Sequence, residues 1–204
     1  MAIFVKICGI CSERDLGQIS ALGPDAVGFI QWPESKRYVD PVEVGQWETP
    51  VGIKRVGVFV CPDEKEVAHA AQHGRFDVIQ VHRVPDHWNM DRDFFQGLEF
   101  WRALDPDELY HSESYFNWDR FLLDSYDPKT VGGTGKTVDW DKAAMIAKAI
   151  RTPVILAGGL TPGNVTEAIR QVRPFGVDVS SGVESEPRVK DIEKVKAFIA
   201  ACRS

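Results

Sequence analysis

Eight short apolar runs punctuate the chain: Ile3–Ile7, Ala26–Ile30, Lys54–Phe59, Val78–Val81, Glu99–Ala103, Phe121–Asp124, Val154–Ala157 and Val177–Ser180. Most are separated by stretches with helical spacing, clearest over Asp63–His73, Asp139–Ile150, Pro162–Val172 and Lys190–Cys202. Strand–helix alternation predicts a parallel sheet. Eight repeats use nearly all of the 204 residues, the number that closes an α/β (βα)8 TIM barrel as a single domain over 1–204. A doubly wound open sheet is the alternative. It would use fewer units, and one that bound a dinucleotide would carry GxGxxG after its first strand, where this chain has KICGI. The weakest units are the second helix, near Val42–Glu48, and the stretch Pro85–Tyr115. Thr161 and Pro162 suit a helix cap and first turn, and Asp139 suits a cap before Trp140.

Two strand ends narrow the function. PVILAGGL (153–160) and GVDVSSGVE (176–184) are apolar runs that stop at glycines or serines, each with a helical pattern downstream. Neighbouring parallel strands ending this way form a cup of backbone N–H groups suited to a phosphate. The net charge of −6 argues against a nucleic-acid partner but not against a small anion held locally. No apolar stretch approaches the ~18 residues of a membrane span, and MAIFVKICGI lacks signal-peptide features, so no membrane partner and a cytoplasmic location are expected. Cys8 and Cys11 form one CxxC with no second pair, which argues against zinc and against a disulfide framework.

Barrel chemistry is drawn from the C-terminal ends of several strands, and period-two alternation says which side chains meet there. Lys6 and Cys8 share a face. Lys6 either pairs with a carboxylate in a barrel layer or favours a Cys8 thiolate. Cys8 itself is either an inert buried thiol or a functional one at a strand end. Asp124 ends FLLD, as a turn cap or as a catalytic acid or base. Gln80 and His82 share the end of the fourth strand, and His82 is a hydrogen-bonding member of the shell or a base. Arg37, in SKR, is a solvated loop charge or holds a carboxylate. Asp178, facing inward with Ser180, holds its loop or touches substrate. GGTGK, with Gly135, lacks P-loop spacing and reads as a covering loop.

With these residues assembled, the chain resembles the phosphoribosylanthranilate isomerase family of tryptophan biosynthesis. The resembling segments run from end to end: KICGI at 6–10, PDAVGFI at 24–30, SKRYV at 35–39, RVGVFV at 55–60, FDVIQVH at 76–82, FLLDS at 121–125, GGTGKTVDW at 132–140, LAGGLTPGNV at 156–165 and GVDVSSGVES at 176–185. The resemblance implies a cofactor-free Amadori rearrangement of a small phosphoribosyl substrate. It implies Cys8 as general base, Asp124 as general acid and Arg37 facing the anthranilate carboxylate. Gly158, Gly159, Ser180, Ser181 and Gly182 would hold the phosphate. Lys6, Gln80, His82, Gly135 and Asp178 complete the expected substrate site. The family includes monomers, dimers and fusions, so the sequence leaves monomer and homodimer open. Arg83 and Arg188 stand where the family usually has glycine, and Cys11 replaces a common threonine.

Three other functions compete. A related phosphosugar isomerase would usually carry an aspartate where Cys8 stands. A non-catalytic binding barrel would have no use for Cys8, Asp124 and Arg37 together. An aldolase-like Schiff base at Lys6 would lie two residues too deep.

Overall fold

The computed structural model describes residues 2–85, 88, 90–106, 118–124 and 138–204. Eight parallel strands close into a barrel in sequence order: β1 Phe4–Cys8, β2 Ala26–Ile30, β3 Lys54–Val60, β4 Val78–His82, β5 Glu99–Leu104, β6 Arg120–Leu123, β7 Val154–Leu156 and β8 Gly176–Val179. Among the described residues the helices are α1 Glu13–Ser20, α2 Pro41–Val44, α3 Glu64–Gly74, α4 Trp140–Ala149, α5 Val165–Val172 and α6 Ile192–Cys202. The seam closes where β1 pairs with β8, Lys6 lying beside Asp178 and Ile7 beside Val179.

The strand period sorts the core into two layers. Val5, Ile7, Val27, Phe29, Ile79 and Val81 face outward into the apolar shell under the helices. Cys8, Ala26, Val56, Val78, Trp101, Leu122 and Ile155 fill the interior. The lower end is plugged by Arg120, whose guanidinium sits 4.7 Å from the Phe175 ring and 5.4 Å from Trp101. Glu99 gathers Lys54 and Arg120 there at 2.9 and 3.5 Å. The chemistry is thus left to the upper rim.

A repeated device sets the strand starts. Asp25, Asp77 and Asp119 precede β2, β4 and β6. Each carboxylate accepts the backbone N–H of the strand before it, from Val5, Arg55 and Phe100, at 2.8, 2.7 and 2.7 Å. Arg55 points outward and donates to the carbonyls of Val44, Trp47, Gly74 and Arg75, tying together the C-terminal ends of α2 and α3. That anchoring explains why a single-turn α2 persists where the sequence showed only a weak pattern.

The expected strands hold to within one residue at each end. Asp139 caps α4 as expected, accepting from Asp141 and Lys142. Two helix starts are corrected. The helix expected from Pro162 begins at Val165, because Asn164 folds back on the loop and its Oδ1 accepts the Thr161 N–H at 2.8 Å. The helix expected from Lys190 begins at Ile192 with Asp191 as its cap. Lys190 instead belongs to an antiparallel hairpin, β9 Glu184–Glu186 with β10 Val189–Lys190, absent from the sequence expectation.

Candidate active site

Among the described residues, the upper rim surrounds a pocket of about 780 Å³, a volume that includes the solvent at its mouth. Cys8 lines it from the last position of β1. Its neighbour across the ladder is Gly28. A Cβ on Gly28 would lie 2.7 Å from the Cys8 sulfur, so only glycine leaves the thiol its place. Beneath it, Lys6 is fully buried and donates to Asp178 Oδ1 at 2.9 Å. Burial works to lower the Lys6 pKa, but Asp178 and Cys8 leave it raised, so the ammonium stays charged. Burial also pushes the Cys8 thiol up. Lys6 and Lys190 pull against this without cancelling it, so the thiol rests protonated. Lys6 therefore favours the thiolate in direction only.

Asp124 lines the pocket from the position after β6. Its backbone N–H donates to Leu104 at 3.1 Å, fixing where the carboxyl leaves the sheet. Gln80 and His82 line the same pocket from β4. Burial, with Lys6 and Arg83 nearby, drives the His82 pKa down to about 3, so the ring is neutral. Its Nε2 lies 2.9 Å from Gln80 Nε2 and accepts from that amide, which places the ring proton on Nδ1. The buried Gln80 Oε1 has no partner among the described residues.

The other end of the pocket is made by the turns after β7 and β8. Gly158 and Gly159 take φ of 77° and 63°, conformations that side chains resist. Asn164 Nδ2 holds this turn by donating to the Gly159 carbonyl at 3.0 Å. Ser181–Val183 is a 3-10 turn whose first N–H groups have no earlier carbonyl of the turn to bond. A Cβ on Gly182 would sit 1.9 Å from the Leu160 carbonyl, so the two turns touch. Ser180 contributes a buried hydroxyl without a described partner.

Arg37 closes the side of the pocket. Its Nε and Nη2 donate to the two carboxylate oxygens of Glu184 at 2.8 and 2.7 Å. Lys190 Nζ donates to Glu184 Oε1 and to the Ser180 carbonyl, each at 3.0 Å.

Cys8, Arg37, Gln80, His82, Asp124, Gly158, Gly159, Asp178, Ser180, Ser181 and Gly182 all line this one pocket. Lys6 is the exception: it lies wholly below the surface, so any part it plays runs through Asp178 and Cys8. Gly135 and the GGTGK loop lie outside the described residues. Sequence reasoning missed Gly28, Asn164, Glu184 and Lys190. The one signal available was a lone acid, Glu184, directly after the SSG turn in a chain whose SKR loop needs a counter-charge. Lys190 was hidden by its helical surroundings.

Fold and site together define a (βα)8-barrel enzyme whose rim gathers a carboxyl group, a thiol and two turns rich in glycine and serine. The model of the N-(5'-phosphoribosyl)anthranilate (PRA) isomerase family matches residues 5–201, and the chain belongs to that family. It is 43% identical over 197 residues to N-(5'-phosphoribosyl)anthranilate isomerase of Geotalea uraniireducens, covering 96% of each chain. Among solved structures, phosphoribosyl anthranilate isomerase from Thermotoga maritima superposes with a TM-score of 0.87 at 35% identity, covering 98% of both chains. A phosphoribosyl anthranilate isomerase in complex with reduced 1-(o-carboxyphenylamino)-1-deoxyribulose 5-phosphate superposes at 0.82 with 32% identity, again over 98% of both.

Proposed function

We propose that the chain, acting as one barrel domain over residues 1–204, isomerises N-(5-phosphoribosyl)anthranilate to 1-(2-carboxyphenylamino)-1-deoxyribulose 5-phosphate in tryptophan biosynthesis. The observation that carries this reading is the placing of Cys8 and Asp124 in the same pocket as the paired glycine and serine turns, in a chain of this family. The likeness to a relative holding a reduced form of the product supports it further. A cytoplasmic location fits the finding that no helix among the described residues is long and apolar enough to cross a membrane.

In this reading the turns of Gly158–Gly159 and Ser180–Gly182 hold the 5-phosphate, and Arg37 faces the anthranilate carboxylate. The protonated Asp124 gives its proton to the ribose ring oxygen. The C1–O bond breaks, the electron pair stays on that oxygen, and the anilino nitrogen forms an iminium at C1. Cys8 then acts through its thiolate, the minor form in the resting protein and the one that Lys6 and Lys190 favour against burial; it takes the C2 proton, and the C2–H electrons neutralise the iminium to give an enolamine. The enolamine gains a proton at C1 and loses one from the C2 hydroxyl, giving the ketone. The thiol proton returns through solvent to Asp124, so no net proton is consumed. Two positioned proton transfers suffice for this chemistry. Phosphate binding far from C1 and C2 supplies orientation. Gln80 Oε1 serves as an acceptor for a substrate hydroxyl, and the neutral His82 keeps that amide from rotating.

Loss of anthranilate-type fluorescence on adding freshly made phosphoribosylanthranilate measures the activity. Cys8→Ala and Asp124→Asn each lower kcat by about 10²-fold or more. Turnover in either variant equal to the unsubstituted protein would refute the assignment.

A further inference from the structure

The β9–β10 hairpin takes no part in the proton transfers, yet it is built around Arg37. Glu184 opens β9 and is only 8% exposed. Its two oxygens take Arg37 Nε and Nη2 in parallel, which fixes the plane of the guanidinium and leaves Nη1 outside that pair, on a residue that lines the pocket. The hairpin also grips the loop on both sides of Arg37. Arg188 at its turn donates to the carbonyls of Lys36 and Tyr38 at 2.6 and 3.3 Å. Lys194 Nζ holds the Glu184 main chain by donating to its carbonyl at 2.9 Å.

The charge count matters as much as the geometry. An Arg37–Glu184 pair alone is neutral and would offer an arriving carboxylate no net attraction. Lys190, buried against the same carboxylate, is the second cation of the cluster: burial lowers its pKa, and the Glu184 carboxylate 3.0 Å away works to keep its proton in place. Two cations sharing one buried carboxylate leave a site matched to a single added anion.

We propose that Glu184 is a positioning residue that presents the Nη1 edge of Arg37 to the aryl carboxylate of the substrate, and so sets the preference for carboxylated over plain anilino ligands. This rests on the isomerase reading above. Without Glu184 the guanidinium is free to turn, and directional recognition of a planar carboxylate is lost. Without Lys190 the orientation survives but the attraction falls.

The test compares two probes by calorimetry: reduced 1-(o-carboxyphenylamino)-1-deoxyribulose 5-phosphate, and its counterpart lacking the carboxylate. The phosphate and sugar are common to both, so the affinity ratio isolates the carboxylate. Glu184→Gln, which keeps size and the Lys194 contact, is expected to lower that ratio at least tenfold while affinity for the plain probe changes less than threefold. Lys190→Met is an independent second variant with the same expected direction. An unchanged ratio in both variants, or an equal loss for both probes, overturns the proposal. The isomerase reading is scored separately, by turnover of phosphoribosylanthranilate in the unsubstituted protein. A protein that prefers the carboxylated probe yet turns nothing over would sink that reading and leave this one standing.

Discussion

Lys6 and Asp178 meet across the β1–β8 seam, at the register position that closes the barrel, with the ammonium 2.9 Å from the carboxylate and no part of Lys6 exposed. Removing one partner of such a buried pair strands the other charge, whereas replacing both removes the problem. Asp178→Asn is therefore expected to lower unfolding free energy by about 3 kcal/mol, and Lys6→Met with Asp178→Asn to recover most of that loss. Urea unfolding of the two variants checks both values. Equal losses in single and double variants would mean that the pair is not coupled.

The Cys8 thiol gives a pH signature. Burial raises its pKa above the ordinary thiol value of about 8.5. Between that value and its own, the folded protein keeps a proton that the unfolded chain has lost. The unfolded state then binds fewer protons, so stability falls as pH rises through this window. Cys202, with a pKa pushed up to about 12 by burial, acts in the same direction. Cys8→Ala should flatten the decline above about pH 8.5 without abolishing it. In the native protein, alkylation of Cys8 by iodoacetamide should be slow at neutral pH and still rising above pH 9. A plateau below pH 8 would show that Lys6 and Lys190 outweigh burial.

The barrel was legible because its strands are local and apolar, and a single-residue error in a boundary changes little. The gathering of Cys8, Asp124 and the two turns was legible for the same reason: strand ends share one rim. What escaped were features whose meaning is non-local. Glu184 acquires its role only by meeting Arg37, far away in sequence. Lys190 looked like the start of a helix, because a short hairpin held by cross-strand pairing has no period to detect. The start of α5 was misplaced because Asn164 offers the backbone a competing turn through its side chain.

Gly28 shows how little room the thiol has. A methyl group there would lie 2.7 Å from the Cys8 sulfur and 3.2 Å from its Cα. The strand is fixed by its neighbours on both sides, so the thiol must yield rather than the sheet. A displacement near 1 Å at a reacting group costs about 10²-fold in rate. Gly28→Ala is expected to lower kcat by roughly that factor, with KM changed less than threefold, since the turns proposed to hold the phosphate lie elsewhere. Steady-state kinetics decide this, and a rise in KM alone would place the damage in binding.

Arg173 and Arg188 share a left-handed backbone, with φ of 52° and 80°, and make opposite predictions. Arg173 ends α5, is exposed, and contributes its backbone N–H to Ile169 at the helix cap. Glycine keeps that bond and removes the Cβ clash of the left-handed conformation, at the cost of a more disordered unfolded chain. Arg173→Gly should stabilise by about 0.5–1 kcal/mol, seen as a rise in Tm of about 1–4 °C. Arg188 gains the same relief from glycine but loses two donations to the Lys36 and Tyr38 carbonyls. Those bonds are exposed, each contributing about 0.5–1 kcal/mol, so their joint loss of about 1–2 kcal/mol outweighs the relief of about 0.5–1 kcal/mol, and Tm should fall by at most a few degrees. Affinity for a carboxylated ligand should fall as well, because Arg188 steadies the loop that carries Arg37. Thermal scans of the two variants side by side separate backbone strain from side-chain anchoring. A stabilised Arg188→Gly with unchanged ligand affinity would show that its two hydrogen bonds hold nothing in place.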